Sequence, residues 1–166
     1  MKYIKAYLPL CWLNAAILKL PVSQGFFKNN MFFYFAIMFF IQFNMSDDIE
    51  AIFEVILETL LTLGFIGFIL FLNRTLATFT QVASAILFSQ NAISILLVPV
   101  VFWLTAYEDS ASYLVLLTLL AWAVVLVARI FKQVLFINNA AALIVSLSYF
   151  VITYGGAYGI DSLVAG

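Results

Sequence analysis

The sequence predicts an all-α integral membrane protein, with five transmembrane helices after an N-terminal amphipathic helix at the membrane interface. Three observations carry this. The 166 residues are 66% hydrophobic and only 9% charged, against roughly 45–50% and about 25% in a soluble domain. There is too little polar surface to cover a globule in water, and the mean hydropathy of +1.16 agrees. Apolar runs of bilayer length recur between short polar breaks. The charges are also segregated. Lys and Arg occur within residues 2–28, at Arg74, and at Arg129 with Lys132, whereas the acids occur at 47–58, 108–109 and 161. Five crossings gather the basic segments on one side and the acidic loops on the other, while four or six scatter them. The positive-inside rule then places the N-terminus in the cytoplasm and the C-terminus outside. Short loops point to a bacterial inner membrane.

Residues 1–20 are apolar but interrupted. Lys2, Lys5 and Lys19 share an arc of roughly 100° on a helical wheel, and Tyr3, Tyr7 and Trp12 suit the headgroup layer. The uninterrupted part, Ala6 to Leu18, is too short to span. The reading is an interfacial helix, bent at Pro9; a basic start before an apolar stretch is also the layout of a signal peptide. Pro21 to Asn30 forms a turn. The first span covers about 27–45, with Lys28 snorkelling to the interface and its many Phe side chains facing lipid and neighbouring helices. The second covers 48–72. Ser46 and Asp47 suit its N-terminus, because their oxygens accept from free N–H groups, and Gly64 and Gly67 allow close approach. The third covers 82–106, with Pro99 expected to kink it. The fourth covers 113–128, stopped by Arg129. Residues 129–139 form a basic connector or a helical continuation. The fifth covers 140–158, where Gly155 and Gly159 have the G-x-x-x-G spacing of a helix-contact face, preceded by Ser146 and Ser148. No repeat or linker divides the chain, so residues 1–166 form one membrane domain.

The composition excludes several functions. A net charge of −1 without a basic patch excludes nucleic acid as a partner. Cys11 is the only cysteine, so no internal disulfide forms, and no histidine offers a metal ligand or general base. Zinc-ligand spacing, a phosphate loop and G-x-S-x-G are all missing. The expectation is no catalytic residue, no metal and no cofactor: not an enzyme.

The second span carries the most deliberate pattern. Glu50, Glu54 and Glu58 recur every four residues, and Thr62 continues the series. In a helix they stack along one face. Glu50 and Glu54 sit near the acidic surface, so Glu58 is the unusual group, and ionisable side chains inside a membrane are functional candidates. Gln90, Asn91 and Ser94 on the third span are its expected neighbours, because polar groups in hydrocarbon must find partners. Three readings follow: a plain hydrogen bond to a neighbouring helix, a face for a partner protein, or a proton or cation site. The basic residues Lys2, Lys5, Lys19, Lys28, Arg74, Arg129 and Lys132 either set orientation or bind anionic lipid headgroups.

The segment order resembles the Yip-domain family of small five-span membrane proteins. Pro21-Val-Ser-Gln-Gly25-Phe26-Phe27 is similar to that family's Pro-then-Phe-Phe lead into the first span. Thr78-Phe79-Thr80-Gln81 with Phe88-Ser89-Gln90-Asn91 resembles its third-span start, and Phe131-Lys132-Gln133-Val134 with Ile137 to Ala141 resembles its basic connector. The family's proline after the third-span start is replaced by Ala92, and the acidic column is no family mark. The resemblance covers residues 20–160 and implies a non-enzymatic role in membrane organisation or trafficking. The expected function is therefore a scaffold, trafficking or organisation factor, or accessory subunit of a membrane complex. Its partners would be the bilayer and other membrane proteins, met through the second span or the Gly155/Gly159 face. The alternative is a proton- or cation-coupled transporter or channel component using an intramembrane Glu.

Overall fold

The computed structural model describes residues 2–46, 51–107 and 109–165, all helices and turns with no strand among them. The helices are α1 (Lys2–Tyr7), α2 (Gln24–Ser46), α3 (Ala51–Leu72), α4 (Phe79–Tyr107), α5 (Ser110–Leu135), α6 (Asn139–Phe150) and α7 (Gly156–Ala165). A π-helical turn, Val151–Gly155, joins α6 to α7.

Four stretches are long and apolar enough to cross a bilayer: Ala51–Leu72, Leu76–Tyr107, Ser110–Leu135 and Asn139–Leu163. By length and composition the count is four, where the sequence led to an expectation of five. The 23-residue α2 is long enough but not apolar enough. Lys28, Asn29 and Asn30 near its start and Gln42 and Asn44 near its end confine its apolar stretch to about three turns.

The bundle is organised around the first half of α4. Gln81 to Leu87 are buried on every side, and the small Ala83, Ser84 and Ala85 let neighbouring backbones come close. Ser84 and Ser89 donate back to the carbonyls of Thr80 (2.6 Å) and Ala85 (2.9 Å), so neither hydroxyl is left unpaired. The helix continues through Pro99. Helix α2 packs mainly along α4, α5 lies between α4 and α6, and α3 meets α2 and the π turn with α7.

Residues 1–20 differ from the expected interfacial helix. Only Lys2–Tyr7 is α-helical, and short 3₁₀ turns follow at Leu8–Trp12 and Ile17–Lys19, separated by Leu13 in the left-handed region (φ 60°). The cause is packing. Tyr7, Leu10, Ile17 and Leu20 are buried in the core, and a single straight helix would not turn all four inward. The Tyr7 hydroxyl donates to the Pro21 carbonyl (3.1 Å), and its ring meets Phe26 and Phe88 at 4.7 and 5.8 Å. Polar clamps hold the segment to the bundle. Gln133 accepts from the Ile17 N–H (3.0 Å) and donates to the Ala15 carbonyl (3.0 Å), while Gln81 donates to the Leu20 carbonyl (2.7 Å). Lys2, Lys5, Lys19 and Trp12 remain exposed.

Residues 129–135 take the helical continuation: α5 runs past Arg129 to Leu135, ending where Phe136 takes a left-handed conformation (φ 55°). Nothing between 129 and 135 breaks a helix, and Arg129 and Lys132 suit its negative C-terminal end. At the other end, Asp109 caps α5, accepting from the Ser112 N–H at 2.8 Å. That bond holds the Asp109 carboxyl below the usual carboxylate range. Asn138 caps α6 in the same way, accepting from the Ala141 N–H at 2.8 Å.

Candidate functional site: a polar cluster around Glu58

Glu58 lies two turns into α3, about 10 Å from Ala51 along the axis. It is fully buried, as is Thr62 one turn on. Its partners come from α2 and from the segment after α6. The Tyr34 hydroxyl donates to Oε1, and Gln42 Nε2 donates to Oε2 at 3.2 Å. The Tyr154 hydroxyl approaches the same carboxyl and lies 3.3 Å from that of Tyr34. One turn away, Thr62 Oγ1 and the Tyr149 hydroxyl are 3.3 Å apart. Each carboxylate oxygen therefore has a donor, which makes a buried acid tolerable.

The π turn fits this arrangement. One extra residue in a helical turn rotates everything beyond it. Tyr149 lies before the turn and Tyr154 within it, and both reach the Glu58–Thr62 column. Thr153 Oγ1 donates to the Tyr149 carbonyl (2.7 Å), satisfying a backbone acceptor where the helical ladder is disturbed. On the outer side Gly155 and Gly159 have open space, with nothing within 4 Å of where a Cβ would stand. Gly156, by contrast, faces α3, where a Cβ would stand 3.3 Å from Leu61. Ser146 does not join the outer glycine face; it is buried and donates to the Val124 carbonyl of α5 (2.8 Å).

The acidic column is only partly assembled. Glu50 lies outside the described residues. Glu54 is half-buried, within electrostatic reach of Asp161 on α7. The expected third-span partners diverge from Glu58. Asn91 donates to the Asn30 carbonyl (3.0 Å), and Ser94 donates to Met38 Sδ (3.6 Å). Gln90 lines a 450 Å³ cavity with Ser94 and Tyr154 and approaches the Tyr149 hydroxyl. The sequence reading missed Tyr34, Gln42, Tyr149 and Tyr154. Gln42, which follows the apolar run of residues 31–41, was the available signal. The tyrosines gave none among so many aromatic residues.

The basic residues gather at one end. The clamps from Gln81 and Gln133 bring the N-terminal segment, with Lys2, Lys5 and Lys19, to the start of α4 and the end of α5. Lys28, Arg74 and Arg129 are exposed, and Lys132 is half-buried.

An all-helical bundle, four helices of spanning character and a fully bonded interior carboxyl define a helical protein suited to a membrane. Comparison with protein-family models, with curated proteins and with solved structures gives no match.

Proposed function

We propose that this chain is a non-catalytic integral membrane protein, an accessory or organising subunit that binds another membrane protein through the Gly155/Gly159 face. The outward-facing glycine pair carries this reading. Glu58 is turned inward onto α2 and the π turn, so it acts as an internal joint between helices. Glu58 and Thr62 of α3 are thereby engaged within the chain. Gly155 and Gly159 instead leave a shallow path on which a partner helix can approach closely, and small residues are what bring helices together where lipid gives no hydrophobic drive. This role agrees in kind with the Yip-like segment order.

In this reading α2 is the fifth crossing. Its length matches α3, its start lies beside the Gln81 end of α4, and the polar side chains between its ends face protein: Asn30 meets Asn91, and Tyr34 and Gln42 meet Glu58. Polar groups so covered do not meet lipid. The basic end then lies in the cytoplasm, with the C-terminus outside, in a bacterial inner membrane, and the exposed lysines and arginines lie among the headgroups.

The test is replacement of Gly155 and Gly159 by leucine. Both positions are open, so the bundle is expected to keep its stability within about 0.5 kcal/mol. Proteins co-purifying with the wild type in mild detergent are expected to be lost. An unchanged set of companions contradicts the assignment of this face.

A second reading is proton or cation handling at Glu58, favoured by the hydroxyls of Tyr34 and Tyr154 beside its carboxyl. Glu58→Gln in reconstituted vesicles separates the two. Flux present in the wild type and abolished in the variant supports transport; no difference removes it.

A further inference from the structure

A cavity of about 730 Å³ lies away from Glu58, between the N-terminal segment, α2 and α4. That is within the usual range for small-molecule sites, roughly 300–1,000 Å³. Its walls are mostly apolar, with Ile4, Leu8, Phe33, Phe88 and Ile95 among them, and among the described residues no charged side chain lines it. Ile4, Leu8 and Ile95 are also exposed at its rim.

Ser23 and three amides, Asn29, Asn30 and Asn91, interrupt this apolar wall; Asn29 is exposed, and the other two amides are buried. Asn30 and Asn91 are 8% and 4% exposed. Asn91 Nδ2 donates to the Asn30 backbone carbonyl at 3.0 Å and to Asn30 Oδ1 at 3.4 Å. These contacts fix both amide orientations. Turning Asn91 over would set oxygen against oxygen, and turning Asn30 over would set two NH₂ groups together. The fixed pair leaves one donor, Asn30 Nδ2, and one acceptor, Asn91 Oδ1, buried without a partner. Buried polar atoms without partners are rare in native proteins and ask for an explanation.

We propose that this cavity binds an uncharged membrane lipid through a free hydroxyl, which accepts from Asn30 Nδ2 and donates to Asn91 Oδ1 after a small shift of the two side chains uncovers these buried atoms, while its chain lies along Ile95 and Phe33. A hydroxyl is both donor and acceptor and matches the pair; an ester carbonyl or an ether satisfies only Asn30. An ionic headgroup would be buried without a counter-charge. A diacylglycerol and a long-chain or isoprenoid alcohol share this chemistry. The site is independent of the glycine face and of Glu58.

The test measures binding of labelled dioleoylglycerol, oleyl alcohol and farnesol to the full chain in phosphatidylcholine nanodiscs. Oleyl methyl ether and dioleoyl phosphatidic acid are the comparisons. Saturable binding of at least one alcohol, one per chain, is expected, with the ether and the phosphatidic acid at least tenfold weaker. The strongest alcohol identifies a two-chain, straight-chain or branched ligand. Ile95→Trp, which fills the cavity and leaves both amides in place, is expected to abolish binding in a protein that still purifies as the folded bundle. Asn91→Leu removes the acceptor and is expected to weaken alcohol binding at least tenfold. Equal binding of alcohol and ether, no saturable binding by the wild type, or unchanged binding in Ile95→Trp overturns the proposal.

Discussion

Replacing Glu58 with leucine is expected to lower the unfolding free energy in bicelles by about 1–3 kcal/mol. The substitution removes the common acceptor of Tyr34 and Gln42. Loss of a partner from a buried polar group costs roughly 1–3 kcal/mol. In bilayers, interhelical hydrogen bonds average nearer 0.6 and reach about 1.7 kcal/mol, which holds the expectation below the sum for two orphaned donors. Glu58→Gln keeps an acceptor oxygen and should lose less than about 1 kcal/mol. The difference between the variants isolates the acceptor from the volume of the side chain. If Glu58→Leu is as stable as the wild type, Glu58 does not join α2 to α3.

The largest loss is expected from Tyr149→Ala, about 3–5 kcal/mol by analogy with other large aromatic truncations in cores. Tyr149 is fully buried. Its ring meets Phe65 of α3 and Phe131 of α5 at 5.6 and 6.4 Å, and its neighbour Phe150 at 5.1 Å, all edge-on, so α6 loses contact with both α3 and α5. Lipid cannot replace these contacts, because a void inside the bundle has no atoms on one side. Tyr149→Phe keeps the ring and removes the hydroxyl's pairing with Thr62 Oγ1 and its contact with Gln90, so it should cost about 1 kcal/mol. Equal losses would mean that the hydroxyl, not the ring, holds the helices together.

The sequence made the helical class and the spanning character legible, because both follow from composition and from the spacing of polar breaks. Glu58 was legible as the odd group in α3, since a carboxyl inside an apolar run is conspicuous. Its partners were not. Tyr34, Tyr149 and Tyr154 come from segments far apart in the chain, and a tyrosine among many aromatic residues announces no hydrogen bond. Asn91 and Ser94 share the polar character of Gln90, yet Asn91 meets Asn30 and Ser94 meets Met38. Which side of α4 each faces depends on how α2 packs along it. The N-terminal segment also escaped the helical wheel. Its lysines share an arc, but Tyr7, Leu10, Ile17 and Leu20 fit the core only when the chain turns between them. Residues 129–139 left a connector and a helical continuation both open, and α5 continues to Leu135: a basic residue ends the apolar run without ending the helix.

Crossing of the bilayer by α2 is tested most directly by side-specific cysteine labelling in inverted and right-side-out vesicles, on a Cys11→Ser background. Single variants Val22→Cys, Asn73→Cys, Ser110→Cys and Ile137→Cys sample the ends of the helices. Five crossings place residues 22, 73 and 137 on one side, reactive from the cytoplasm, and residue 110 alone on the other. Labelling of residue 22 from the same side as residue 110 would mean that α2 does not cross, and the joint at Glu58 would then be no contact between two spanning helices.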